Sequence, residues 1–133
     1  MTVTQRVHVF NLVVIAVAMG LFLTAIPMIG FSQAGGVLGM MGFLGFGFLF
    51  YWRKGKGDVL ADERDRAIQQ KAFQIGFAIF WTLFVLGCVG ASLILGDKGA
   101  IPVRDLPTIM FLAWGIWQGA MSTAVLIQYR RAG

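Results

Sequence analysis

The residues with most capacity for chemistry stand together in one stretch, "DVLADERDRAIQQKA", from Asp58 to Ala72. Asp62, Glu63 and Asp65 offer the oxygen ligands that hard cations take, but three near-adjacent carboxylates on a helix diverge around its axis. The same charges read more simply as a helix start. Asp58 or Asp62 can cap the first turn, because a short side-chain oxygen accepts from an unpaired N–H. Asp62 and Asp65 have capping-box spacing, with Asp in place of the usual Glu or Gln. Acids early and Lys71 late suit the helix dipole, and Asp62 precedes Arg66 by four residues, the better order for a pair. A third reading is a docking surface for a protein partner, made by Asp58, Asp62, Glu63, Arg64, Asp65 and Arg66, since the array is denser than capping requires.

Nucleophiles and metal ligands are sparse elsewhere. The chain has one histidine, His8, and one cysteine, Cys88. Neither has the partners that a metal or haem site needs, and a single cysteine rules out an intramolecular disulfide. His8, with Asn11 one turn on, reads as an interfacial residue. No Ser–His or Cys–His pair is expected, because His8 stands alone at a helix end. The glycine loop "RKGKGD" lacks the strand, spacing and hydroxyl of a phosphate cradle. Catalytic residues, metal ligands and cofactors are therefore not assigned.

The elements that must position these residues are set by composition. The chain is 58% hydrophobic and 13% charged, against about 25% charged for a soluble domain. No Asp, Glu, Lys or Arg occurs from Val7 to Trp52, from Ala72 to Gly96, or from Leu106 to Tyr129. A bilayer crossing takes roughly 20 apolar residues, so the first run holds two crossings and the others one each. The pattern predicts an all-α integral membrane protein, a single domain with four transmembrane helices. The spans are about 7–27, 36–52, 72–95 and 107–128, with a charged cytoplasmic element at 53–71. Pro107 fits the first turn of the last helix. The first apolar run exceeds the ~7–15 residues of a signal-peptide core, so a cleaved leader is not expected.

Orientation follows from the basic residues. All of the 11 lysines and arginines except Lys98 and Arg104 fall on one side of this layout. Both termini and the charged element are therefore expected in the cytoplasm, with the third helix extended into it. Tyr51-Trp52 before Arg53-Lys54, and Tyr129 before Arg130-Arg131, mark the same interface. Arg53, Lys54, Lys56, Arg130 and Arg131 are candidates for anionic lipid headgroups. This bias accounts for the net charge of +5 without a nucleic-acid partner. The expected location is the cell's inner, cytoplasmic membrane.

Within the membrane, small residues suggest close helix packing. Gly35, Gly39 and Gly42 project near one face of an α-helix, and Gly115 and Gly119 are spaced by four, as are Gly87 and Ala91. This packing serves one bundle or a homo-oligomer equally well. Gln118 lies mid-span, flanked by Trp114 and Trp117. It reads as interhelical glue or as part of a small pocket. The two halves of the chain, each a hairpin ending aromatic-basic, hint at a parallel duplication. No acid lies within an apolar run, where proton-coupled exporters keep one.

Asp62-Glu63-Arg64-Asp65, then Ile68 and Lys71-Ala72 leading into an apolar helix, with "QYRRAG" at the end, resembles a family of small prokaryotic four-span membrane proteins of unknown function. The resemblance covers the layout of the whole chain. Some members are encoded beside a small helix-turn-helix regulator, which implies a regulatory partner; the family offers no catalytic residues to carry over. The expected function is non-enzymatic: a scaffold, accessory subunit or regulator acting through the charged cytoplasmic helix start, with a protein partner or further copies of itself. The alternatives are a homo-oligomeric channel or transporter for a neutral or apolar solute and, further off, a lipid-modifying enzyme.

Overall fold

The computed structural model describes residues 2–49, 63–96 and 99–132, and the described backbone is helical, with no strand. Helix α1 runs Val3–Ile29. Its start is a capping box that the sequence reading missed: Thr2 Oγ1 accepts from the Gln5 N–H at 3.3 Å, and Gln5 Oε1 accepts from the Thr2 N–H at 2.9 Å. Two unpaired donors are thereby satisfied reciprocally. The helix passes through Pro27 and stops at Gly30, whose φ of 82° and ψ of 163° lie in a region almost confined to glycine. The expected tight turn after it contains a one-turn helix, α2, Phe31–Ala34.

The next segment departs from expectation. Where a second α-helix is expected over about 36–52, a 3-10 helix of 14 residues runs Gly35–Phe48, and residues 50–52 lie outside the described residues. Such runs rarely exceed one turn, because side chains three apart eclipse one another. Here the sequence removes one of the three eclipsed rows. It reads in triplets, each opening on glycine: Gly36-Val37-Leu38, Gly39-Met40-Met41, Gly42-Phe43-Leu44. Burial has the same period. Gly35, Leu38, Met41, Leu44 and Gly47 are buried, whereas Gly36, Gly39, Gly42 and Gly45 are exposed. The α-helical expectation that Gly35 shares a face with Gly39 and Gly42 is corrected by this winding.

Helix α3 runs Glu63–Leu95, 33 residues without a break. Helix α4 runs Leu106–Ala132 after a single 3-10 turn at Val103–Asp105, and Pro107 lies in its first turn. By length and composition α1, α3 and the segment Val103–Arg131 suffice to cross a membrane.

Two clusters hold the helices together. The larger joins α1, the 3-10 helix and α4: Ala18, Phe22, Ala34, Leu38, Met41 and Leu44 are buried, with Phe111, Leu112 and Trp114 of α4 packed against them. Glycines permit the close approaches. The side chain of Met41 seats over Gly115, where a Cβ would fall 2.8 Å from its methyl carbon, and Gly35 lies against the Thr108 side chain. The smaller cluster pairs α3 with α4 through Ile68, Ala72, Ala124 and Val125, with Tyr129 beside them. Gly76 touches the backbone of Met121, so a Cβ there would fall 3.0 Å from main-chain atoms. Beyond that contact α3 and α4 line an apolar groove of about 500 Å³. The most apolar stretch of α3 has no buried residue.

Candidate functional site

Polar side chains gather where the start of α1, the start of α3 and the end of α4 meet. Asp65 continues the packing stripe of α3: Asp65, Ile68, Ala72 and Gly76 are its buried residues, at the three- and four-residue steps of one helix face. The residue is 8% exposed, and its carboxylate accepts a hydrogen bond from the Tyr129 hydroxyl of α4. The hydroxyls of Thr2 and Thr4, from α1, lie beside the same phenol. Three helices are thus tied at one point, and a carboxylate buried without such a donor would cost several kcal/mol by order of magnitude.

Fixing Asp65 inward fixes what α3 turns outward. Glu63, Arg64, Arg66 and Lys71 are exposed. Within the expected docking set, Asp65 therefore belongs to the bundle, whereas Glu63, Arg64 and Arg66 lie on the surface. Asp58 and Asp62 lie outside the described residues, as do the expected Asp62–Arg66 pair and the caps at Asp58 or Asp62. Among the described residues no group of three acid, histidine or cysteine side chains is placed to hold a metal.

One turn deeper, α1 and α4 meet through a pair that the sequence reading excluded. His8 Nδ1 and Ser122 Oγ are 3.1 Å apart in a buried hydrogen bond, across 114 residues of chain. The expectation that no serine approaches His8 is corrected. The geometry supplies a nucleophile and a base, but Ser122 is 0% exposed. A hydroxyl enclosed on all sides has no path to a substrate carbonyl, and such pairs work only where a reacting atom can reach them. The contact acts as a polar tie between two apolar helices. Asn11 follows one turn along and lies against Gly47 of the 3-10 helix, 3.7 Å from where a Cβ would stand. Its Oδ1 is buried with no partner among the described residues, as are Trp117 Nε1 and Gln128 Nε2.

The remaining candidates divide between neighbours. Trp114 packs on the larger cluster, whereas the Trp117 ring meets Phe73 of α3 edge-on, with centroids 5.8 Å apart. Gln118 is half-buried. A Cβ at Gly119 would stand 4.0 Å from the Ile15 side chain of α1, and Gly39 and Gly42 have open space where a Cβ would stand. Arg130 and Arg131 are exposed at the end of α4, and Arg53, Lys54 and Lys56 lie outside the described residues. Thr2, Thr4, Ser122 and Tyr129 were missed as interacting residues. Only Thr2 carried a local signal, the spacing Thr2-x-x-Gln5.

No curated protein and no solved structure matches the chain. A family model of unknown function, described as "Predicted membrane protein (DUF2178)", matches residues 7–129. This match over most of the chain shows that it belongs to that family of predicted membrane proteins, and three of its helices are long and apolar enough to cross a membrane.

Proposed function

We propose that the protein is a non-enzymatic scaffold or accessory subunit of the cytoplasmic membrane, holding a rigid charged arm out to a protein partner. The observation that carries this reading is the unbroken length of α3. Its 33 residues rise about 50 Å at 1.5 Å per residue, whereas the hydrocarbon layer is about 30 Å thick. The surplus lies at the end bearing Glu63, Arg64, Arg66 and Lys71. The Asp65–Tyr129 bond gives that end a defined rotation, so the exposed charges form a fixed pattern.

Four crossings, with both termini and the arm on the cytoplasmic side, fit the distribution of lysine and arginine. In this layout the 3-10 helix is the second crossing. Fourteen residues rise about 28 Å at ~2.0 Å each, close to the thickness required. As an α-helix they would reach only about 21 Å.

Charge reversal at Glu63, Arg64 and Arg66 together tests the reading. Affinity recovery from detergent-solubilised membranes should lose the co-purifying partner, while the protein itself stays in the membrane fraction. Recovery of the same partner in the same yield would remove the docking role.

A further inference from the structure

One sequence serves two windings in the segment after α2. Wound as a 3-10 helix, Gly36, Gly39, Gly42 and Gly45 form one exposed row, and a Cβ at any of them would meet nothing within 4 Å. Wound as an α-helix, the same stretch brings Gly35, Gly39 and Gly42 near one face. Residues 35–48 are glycine, valine, leucine, methionine and phenylalanine throughout, so rotating the segment neither buries nor exposes a polar side chain. The two forms differ in bonding and in reach. The 3-10 winding has the poorer hydrogen-bond geometry and is rarely sustained. It is also the longer: 14 residues span about 28 Å, against about 21 Å as an α-helix. Only the longer form approaches the hydrocarbon thickness of about 30 Å.

We propose that residues 35–48 are a bilayer-thickness switch, wound as a 3-10 helix in a thick membrane and as an α-helix in a thin one. A two-state element moves only when something interacts differently with its two states. Here that difference is hydrophobic mismatch, which costs more with every ångström by which a span and its bilayer disagree. The ~7 Å between the two windings is comparable to the roughly 5 Å by which natural membranes differ. The two ends of the segment respond unequally. Leu38, Met41, Leu44 and Gly47 form one buried row. Rewound as an α-helix from Leu38, Met41 turns by about 60°, Leu44 by about 120° and Gly47 by about 180°. A methionine is adaptable enough to keep its seat over Gly115 through the small turn. The large turn takes Gly47 away from α1, where it lies beside Val7 and Asn11. Asn11 Oδ1, buried there with no partner among the described residues, is the group the switch uncovers. The same end of α1 brings Thr2 and Thr4 to the Tyr129 phenol, so the change reaches the junction that orients α3. This inference rests on the four-crossing layout proposed above and not on the charged arm having a partner.

Aligned bilayers provide the test. Protein carrying isotope-labelled glycine is reconstituted in dioleoyl phosphatidylcholine and in the shorter-chained dimyristoleoyl phosphatidylcholine. Oriented solid-state NMR then reads the backbone N–H signals of Gly36, Gly39, Gly42 and Gly45. In the thicker bilayer the four should share one orientation about the helix axis. In the thinner one they should fan out over about 180°, in steps of about 60°. Gly39→Ala/Gly42→Ala sets two side chains three apart, which eclipse in a 3-10 helix although each has room on this face. That variant should fan out already in the thicker bilayer. Gln33→Cys and Leu49→Cys, at exposed positions and each in a Cys88→Ala chain, should react with an impermeant maleimide from opposite sides of the membrane. Labelling of both from one side would overturn the proposal together with the four-crossing layout. Opposite labelling with the same glycine pattern in both bilayers, or a double-alanine variant indistinguishable from the unaltered chain, would overturn the switch alone.

Discussion

Removing the Tyr129 hydroxyl is the sharpest perturbation of the polar junction. Tyr129→Phe keeps the ring against the Ile68, Ala72, Ala124 and Val125 cluster but takes the donor from the carboxylate of buried Asp65. Hydrogen bonds to charged groups contribute about 1.5–3 kcal/mol, so a loss of about 2 kcal/mol is expected, roughly thirtyfold in the folding equilibrium. Asp65→Ala alone should also destabilise, through the lost bond and the lost packing. The informative quantity is the coupling. In a double-mutant cycle, Asp65→Ala should cost about 1.5–3 kcal/mol less when Tyr129 is already Phe. Reversible unfolding of the purified protein in mixed micelles, titrated with a denaturing detergent, measures all four corners. Arg66→Ala, on the exposed side of the same turn, serves as control and should move stability by no more than about 0.5 kcal/mol. A coupling below about 0.5 kcal/mol would mean the two sites act independently, and the account of how α3 is oriented would fail.

Ser122→Ala should destabilise by about 1–3 kcal/mol, because it strands the His8 ring nitrogen in an enclosed site; the same unfolding titration reads it. Gly76→Ala and Gly20→Ala should differ by about 2 kcal/mol, the first overpacking against the Met121 backbone and the second filling open space in α1 with a gain in helix propensity. An alanine scan of the 3-10 helix should show period three: losses of about 2–5 kcal/mol at Leu38, Met41 and Leu44, and much smaller effects at Val37, Met40 and Phe43. A period nearer four would refute the threefold winding.

The sequence disclosed the helices whose signal is length and apolarity, and hid contacts that depend on long-range docking. α1, α3 and α4 contain the expected spans, since uncharged runs of this length admit few other structures. The 3-10 helix was legible in principle from glycine at every third position, but the spacing of four between Gly35 and Gly39 drew an α-helical reading. Asp65 sits in a charge run, and a charge run suggests solvent; its inward turn shows only when its three-and-four-residue relation to Ile68 and Ala72 is weighed above its charge. The His8–Ser122 pair left no local trace, because its two members come together only once α1 docks on α4.

The threefold winding also sets which changes of length the second segment tolerates. One inserted residue turns everything downstream by about 120°, which would bring Met40, Phe43 and Phe46 to the core in place of Met41, Leu44 and Gly47. Adding or removing a whole triplet leaves every residue in phase and alters the reach by about 6 Å. An α-helix offers no such small integer step, since even seven residues drift by about 20°. The segment is thus a ruler graduated in threes, and related chains that differ in length here should differ by whole glycine-led units.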